Sequence, residues 1–434
     1  MAEIAGPVRG QLSSRVVEVT FAYGTSGLVV ELPDQRTTLV TPDYPPPAPS
    51  PGATVRTALR SPLSGPPLRE RVRSGQTVAI AVCDGTRPQP RATVVRAVLE
   101  ELEGLVRPDD VVVLVATGTH RANTTPELQD MFGNEVLAAV RVVNHDARDP
   151  TSLTWVGHLG RDVPVWLNSE WLAADVRVTT GFVEPHFFAG FSGGPKLVAP
   201  GLAGLETTLR LHDASHIGHP EARWGIIDGN PVQDDVRAIA AATGVTFALD
   251  VTLDREHNVV EAFGGDLLPM HAAACRSVRR TAMRAVPSPF DVVVVSNAGF
   301  PLDQNLYQSV KGMSAAAQVV KPGGTIICVA ECRDGFPDHG SYRHELTSAP
   351  SVEDLLRSIR ARPEVVPDQW QIQVQASIMA RARVILCTGS LSDEDLAAAH
   401  FEQTHDVSRT VSEAGPRATV CALPDGPMTI PYVA

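Results

Sequence analysis

Valine-rich apolar runs recur along this chain, and several break off into a polar segment before a helical stretch begins. From Gln76 the order is strand, loop, helix, repeated. Thr77–Val82 leads to a helix over Ala92–Glu103, Asp110–Ala116 to a helix over Pro126–Phe132, and Asp175–Gly181 into a glycine-rich segment. Alternation of this kind makes parallel sheets with helices on both faces. The predicted fold class is therefore α/β, with mainly parallel sheets.

A second α/β unit begins near Asp291, where DVVVVSN is followed by a helix over Asn305–Val320, a KPGG turn (Lys321–Gly324) and a strand over Thr325–Ala330. Strand Arg383–Cys387 and helix Asp393–Thr404 extend it. Residues 15–40 alternate apolar and polar positions, as antiparallel strands do. The stretch Pro42–Gly52 is proline-rich and serves as a linker. The expected division is an N-terminal unit over residues 1–272, rejoined by the C-terminal tail 410–434, a connecting helix over 273–284, and a C-terminal unit over 285–408.

Length and composition narrow the function classes. The chain has 434 residues, 43% apolar and 20% charged, with a net charge of −12. Such a chain buries a sizeable core, and its acidic balance argues against nucleic-acid binding. Six cysteines are scattered without a CxxC pair, which fits a reducing compartment rather than a disulfide framework. The N-terminus lacks a basic-then-apolar signal pattern and no apolar run reaches membrane-spanning length, so a cytoplasmic location is expected and no membrane contact.

Five segments concentrate polar and basic groups. Ligands in open α/β sheets sit in the crevice beyond the strands' carboxyl ends. In CDGTRPQP (Cys83–Pro90), Asp84 and Thr86 can cap a helix while Arg87 offers a planar fork to a carboxylate or phosphate; a plain cap with a solvated arginine is the bland alternative. In ATGTHRANT (Ala116–Thr124), His120 lies just past a strand end, where an imidazole can act as a base, although a lone loop histidine is more often structural. In EPHFFAGFSGGPK (Glu184–Lys196), Gly193 and Gly194 expose amides that could cradle an anion. The segment lacks the GK[ST] ending of a Walker loop, and its phenylalanines would exclude water and favour a neutral Lys196 amine. In LHDASHIGHP (Leu211–Pro220), His212, His216 and His219 could share one helical face; without an HExxH pattern, one histidine donating to a metal held mainly by something else is the better reading. In LYQSVKG (Leu306–Gly312), Tyr307, Gln308 and Lys311 could bind a small polar acid, or the segment is an ordinary amphipathic helix.

Any one of these segments is a weak signal. Taken together and in this order, DGTRP, GTHR, HFFAGFSGGPK, LH…GHP and YQSVK resemble the nickel-dependent lactate racemase family, over roughly residues 15 to 430. The resemblance implies two α/β domains with an active-site cleft between them, holding a nickel-pincer nucleotide: a pyridinium mononucleotide that carries nickel through carbon and sulfur donors. By motif, Lys196 matches the lysine that tethers this cofactor through a thioamide, with Gly193 and Gly194 beside it, and His212 matches the protein ligand to nickel. His120 and His186 match the two catalytic bases. Arg87, Tyr307, Gln308 and Lys311 match substrate positions, with Asp84 beside them, and Trp370, in PDQW, matches an aromatic near the substrate. Pro195 departs from the basic residue found before the lysine in many relatives. The cofactor would be supplied by biosynthetic enzymes that this chain does not encode.

The implied activity is racemisation or epimerisation of a lactate-like 2-hydroxy acid by hydride transfer, through a 2-keto acid. Removing the α-hydrogen as a proton would build charge beside an existing carboxylate, which a histidine is too weak a base to drive. Moving it as hydride avoids that, provided a histidine takes the hydroxyl proton. The same residues would serve a larger substrate such as malate, an aryl-lactate or a sugar acid. An NAD-dependent 2-hydroxyacid dehydrogenase is the rival enzyme class, but no GxGxxG follows any strand. A zinc hydrolase lacks its ligand motif, and a non-catalytic nucleotide carrier would leave the histidines without a task.

Overall fold

A computed structural model describes residues 15–337 and 340–434. Two six-stranded sheets dominate it. The first runs, in spatial order, Val259–Gly265, Phe247–Leu253, Val176–Phe182, Val78–Cys83, Val111–Ala116 and Arg141–Asn144. Every neighbouring pair is parallel except the edge pair Phe247–Leu253 with Val259–Gly265. The second runs Glu402–Gln403, Arg383–Cys387, Val320–Val329, Phe290–Ser296, Val420–Leu423 and Thr37–Leu39, parallel throughout. The predicted strands are present to within a residue or two, because a strand buried on both faces carries an unbroken apolar run, except that the strand expected from Thr325 begins at Val320 and takes in the KPGG segment expected as a turn.

Each sheet reverses its strand order beside a central strand. In the first the reversal falls between Val78–Cys83 and Val176–Phe182, so the loops beginning at Asp84 and Val183 leave side by side. In the second it falls next to Phe290–Ser296, whose following loop leads into helix Leu306–Ala316. Such switch points open a crevice at the carboxyl ends of the strands.

Three boundaries differ most from expectation, and the helices expected over Pro126–Phe132 and Asn305–Val320 span Thr125–Ala139 and Leu306–Ala316 instead. The tail was expected to rejoin the first unit, but Val420–Leu423 pairs between Phe290–Ser296 and Thr37–Leu39, inside the second sheet. The N-terminal residues were expected in the first unit, yet the antiparallel hairpin Val16–Phe21 with Leu28–Pro33 buries Val19, Phe21, Val30 and Leu32 against Val292, Val294, Ile327 and Val329. The reason is burial: an alternating hairpin needs an apolar face to cover, and the second sheet offers one. Residues 1–14 lie outside the described residues. The third difference is the helix expected over Asp393–Thr404, which stops at Ala398. His400 adopts a left-handed φ of 65°, and Phe401 N–H returns to the Leu396 carbonyl at 2.8 Å, a Schellman-type stop.

The proline-rich strap crosses from one sheet to the other. Val40 N–H binds the Ala422 carbonyl in the second sheet, and Ala48 N–H binds Val259 in the first. The connecting helix is longer than expected, Leu267–Ala282, and runs into strand Met283–Val286, which pairs with Ile430–Val433.

Helix Leu306–Ala316 lies flush on the end of its strand because Gly312 has no side chain. A β-carbon there would collide with the Ser296 carbonyl, and the Gly312 amide donates to Asn297 Oδ1 at 2.8 Å. Gly312→Ala is expected to push this helix outward and to lower stability by about 1–3 kcal/mol, as overpacking does. The denaturant midpoint of the variant checks this.

Candidate active site

The loop after Val78–Cys83 is built around two buried polar side chains that sequence reasoning passes over. Arg91, almost fully buried, donates to the carbonyls of Cys83 (2.7 Å), Gln89 (3.1 Å), Arg87 (2.6 Å) and Asp84. Gln89 accepts from Cys83 N–H at 2.8 Å and donates to Thr180 Oγ1 at 3.1 Å. The loop is therefore held from inside by a guanidinium fork, and the side chains of Asp84 and Arg87 project from a fixed frame.

Asp84 is buried and accepts from Thr86 Oγ1 at 2.7 Å, while His120 Nδ1 stands 2.6 Å from Asp84 Oδ2. Burial pushes the Asp84 carboxyl upward. The hydrogen bond from His120, with help from Arg87 and Thr86, more than offsets this and holds it below its ordinary value. An ionised carboxylate only accepts, so His120 carries hydrogen on Nδ1 and presents a free lone pair on Nε2. Half of the His120 side chain is exposed, which leaves that nitrogen reachable.

The segment Glu184–Lys196 folds as a small hairpin, Pro185–His186 against Gly190–Phe191, followed by the turn Gly194–Leu197. His186 packs against Phe187 and Phe188, with ring centroids 5.1 and 4.5 Å away. Its pKa is driven well down by burial and then by the charges of Lys196, Lys311 and Arg87. Ala189 N–H donates to His186 Nδ1 at 3.2 Å, so the neutral ring keeps its hydrogen on Nε2. The two histidines are wired in opposite senses.

Lys196 Nζ lies 5.8 Å from the Phe188 ring centroid. Burial, with the Arg87 charge second and Glu184 opposing, brings the Lys196 amine down to about 7. The same causes bring Lys311 down to about 8. Both lysines and His186 keep some contact with solvent. The charge of Arg87 acts on Asp84, His186, Lys196, Tyr307 and Lys311 alike, so residues spread over 228 positions of sequence, from Asp84 to Lys311 inclusive, meet around one guanidinium.

His212 ends helix Leu205–Leu211, and its Nδ1–H donates to the Thr208 carbonyl at 2.7 Å. Burial brings its pKa down to about 4, against the pull of Thr208. A neutral ring with Nδ1 occupied directs its Nε2 lone pair outward, as a metal ligand must. Trp370 covers it, ring centroids 4.8 Å apart, and Phe188 meets its edge at 5.3 Å. The three-histidine face does not form. His216 sits in a separate one-turn helix, Ala214–Ile217, with Nδ1 2.8 Å from Asp213 and Nε2 2.7 Å from Asp235, and His219 is exposed. Among the described residues, no group of three or more histidine, cysteine or acidic side chains could hold a metal.

From the second unit, Tyr307, Gln308 and Lys311 arrive on helix Leu306–Ala316, capped by Asn305 Oδ1. The Tyr307 phenol is pushed up by burial and by the charge of Asp368. Gln308 Oε1 is buried and has no protein partner among the described residues, which marks a polar atom available to a ligand.

The glycine cradle needs correction. Gly194 N–H already donates to Asp250 Oδ2 at 2.6 Å, so that amide is not free for an anion. Gly193 and Gly194, with φ of 74° and 50°, pass close against Asp250, the Phe182 carbonyl and His271, where a β-carbon would clash. These glycines seat the lysine turn on the protein.

Two family models match the chain: the lactate racemase N-terminal domain over residues 23–225, and the lactate racemase C-terminal domain over residues 285–430. The lactate racemase of Thermoanaerobacterium thermosaccharolyticum is 35% identical over 385 residues, spanning 87% of this chain and 90% of that protein. The chain belongs to the lactate racemase family. A second relative, the lactate racemase of Lactiplantibacillus plantarum, is 33% identical over 380 residues, 86% of this chain and 89% of that protein. The solved apoprotein of the Thermoanaerobacterium lactate racemase superposes with a TM-score of 0.91 at 32% identity, over 96% of this chain and all of that one. A Thermotoga maritima protein, at 18% identity and a TM-score of 0.66 over 90% of this chain, shares the fold. Membership of a racemase family makes the protein an isomerase and sets aside the dehydrogenase and hydrolase readings. The C-terminal family domain extends to residue 430, in line with the tail strand lying in the second sheet.

Gln89, inside the Cys83–Pro90 segment, and Arg91, which directly follows it, both escape sequence reasoning, because only the fold shows that they turn inward. Arg91→Lys keeps the charge but cannot span four carbonyls. It is expected to cost about 2 kcal/mol of stability and to lower kcat/KM roughly tenfold or more as Asp84 and Arg87 lose register. Thermal melts and steady-state kinetics together check it.

Asp250 escapes it as well. Burial raises its carboxyl to about 7, against the pull of the Gly194 amide. Its folded pKa lies above the unfolded value near about 4, so its contribution to stability is full below that value and drains as pH rises through 7. Asp250→Asn keeps an acceptor for Gly194 without titrating. Its melting temperature is therefore expected to gain on the parent by a few °C between pH 5 and pH 8, as apoprotein melts at several pH values would show.

Proposed function

We propose that this protein racemises a lactate-like 2-hydroxy carboxylate with a nickel-pincer nucleotide, and that the residues around Arg87 do the acid–base and binding work. The observation that carries this reading is the meeting of three basic side chains, Arg87, Lys196 and Lys311, with the carboxylates of Asp84 and Glu184 nearby, beside two histidines. Basic side chains gathered in a partly buried place favour the entry of a small anion such as a carboxylate.

The residues fit the cofactor. His212 has a free lone pair and low basicity, as a nickel ligand requires. Lys196 has an amine brought down to about 7, so a large part of it is neutral and nucleophilic near neutral pH, as a thioamide link requires. When bound, the pincer pyridinium supplies an acceptor for hydride. Pro195, in the place where many relatives carry a basic residue, leaves the lysine turn intact: Lys196 N–H binds the Gly193 carbonyl at 3.1 Å.

The chain's own groups do the rest. Arg87 offers a bidentate fork to the substrate carboxylate, and Lys311, Tyr307 and Gln308 approach it from the second unit. His120 Nε2 takes the hydroxyl proton while Asp84 stabilises the imidazolium that results. As the hydroxyl loses its proton and the α-carbon loses hydride, the substrate becomes a planar 2-keto acid. Return of hydride to the opposite face, with a proton to oxygen, inverts the centre. His186 serves the other enantiomer. To accept a proton on Nε2, its ring must release the Ala189 amide and carry its hydrogen on Nδ1 instead; that 3.2 Å bond is the longer of the two that fix the histidines. Phe187 and Phe188 keep water from this side.

The test uses protein made together with the enzymes that build the pincer. Incubating one enantiomer of lactate in D₂O is expected to yield the other with its original hydrogen at Cα. Deuterium at Cα would show a proton route and sink the proposal. His120→Ala and His186→Ala are each expected to slow racemisation by about 10²–10⁴-fold.

A further inference from the structure

Helix Gln369–Met379 reads QWQIQVQASIM, with four glutamines at alternate positions, all buried. Alternate positions on a helix point to nearly opposite sides, so the four fall into two rows. Gln371 and Gln375 serve the second unit: Gln371 Nε2 donates to the Tyr307 carbonyl, and Gln375 accepts from Tyr342 Oη and donates to the Ala399 carbonyl at 3.2 Å. On the other side, Gln369 accepts from Val366 N–H beside it, while Gln373 reaches across to the first unit and donates to the Ala214 carbonyl at 2.9 Å.

Gln373 stands in an otherwise apolar contact. Trp370 and Val374, at i−3 and i+1, pack on the cluster of Phe187, Phe188, Ile217 and Trp224. Gln373 Oε1 is buried with no partner among the described residues, so the amide is not there to gain stability. A polar group kept in an apolar seam fixes register instead, since only one alignment satisfies its donor. Its acceptor is well chosen. Ala214 lies two residues past His212, in the one-turn helix whose His216 is held by Asp213 and Asp235. Gly218 leaves room for the approach, because a β-carbon there would come within 3.0 Å of Gln373 Nε2.

We infer that Gln373 is a positioning residue that registers the Trp370 helix of the second unit against the turn carrying His212 in the first. The inference rests on the proposed function for its kinetic consequence. Substrate is shared between units, with Arg87 on one and Tyr307 and Lys311 on the other, so loss of register shows first in substrate binding.

Two variants test this: Gln373→Met, similar in length without a donor, and Gln373→Glu, isosteric with an acceptor facing the Ala214 carbonyl. Gln375→Met is the control, because its partners lie in its own unit. In the apoprotein, hydrogen exchange over His212–Gly218 is expected to quicken tenfold or more in both Gln373 variants and to stay unchanged in the control. In the holoenzyme, KM for lactate is expected to rise fivefold or more with kcat within twofold. Unchanged exchange at His212–Gly218, or a fall in melting temperature with KM intact, would overturn the positioning role. Should one Gln373 variant fail to fold, the other decides between these outcomes. If the unsubstituted holoenzyme does not racemise lactate, the proposed function fails, while the exchange measurement still decides the role of Gln373.

Discussion

Burial of Lys196, Lys311 and His186 beside the Arg87 guanidinium is the constraint on which the candidate site depends. Removed from bulk water, each of these three groups is harder to charge, and the charge of Arg87 adds to the effect. The same burial leaves Lys196 partly neutral and lowers the pKa of His186 and of His212.

The loops that present these groups are braced from beneath by buried polar side chains. Arg91 gathers four carbonyls under the Asp84–Arg87 loop, and Asp250 takes the Gly194 amide under the lysine turn. Each is a charge-bearing side chain in a poor dielectric, tolerated because its hydrogen bonds are local and directional. His120 and His212 are oriented in the same manner, through Nδ1, by Asp84 and by the Thr208 carbonyl. Only His186 is held by a donor, and that difference separates the two candidate bases.

The site also needs two sheets to stay aligned. Contacts across the units include Trp224 Nε1 to Ser314 Oγ at 3.0 Å, Gln373 to Ala214, the Arg255–Asp425 ion pair, the tilted packing of Trp370 against His212, and the apolar cluster that joins Phe187, Phe188 and Trp224 to Ala315 and Ile430. The strap from Val40 to Ala48 and the helix Leu267–Ala282 complete the connection by chain. We propose that the two sheets mark the two domains, with the N-terminal hairpin and the tail strand counted in the second.

Much of this was legible in the residues alone. Unbroken valine runs forced buried parallel strands, and the polar segments that followed them named nearly all the groups now found around Arg87. Periodicity could do this because it reports which faces of an element meet water. What it could not report is which distant element supplies the covering face, so the N-terminal hairpin and the tail strand were assigned to the wrong sheet. The direction of a polar side chain is likewise a tertiary fact. Nothing local distinguishes Arg91, turned inward onto four carbonyls, from a solvated arginine, or shows that the Gly194 amide is taken by Asp250, some 56 positions away. Sequence determined the strands and the reactive groups; packing decided which hydrogen bonds they were free to make, because that depends on neighbours brought together only by the fold.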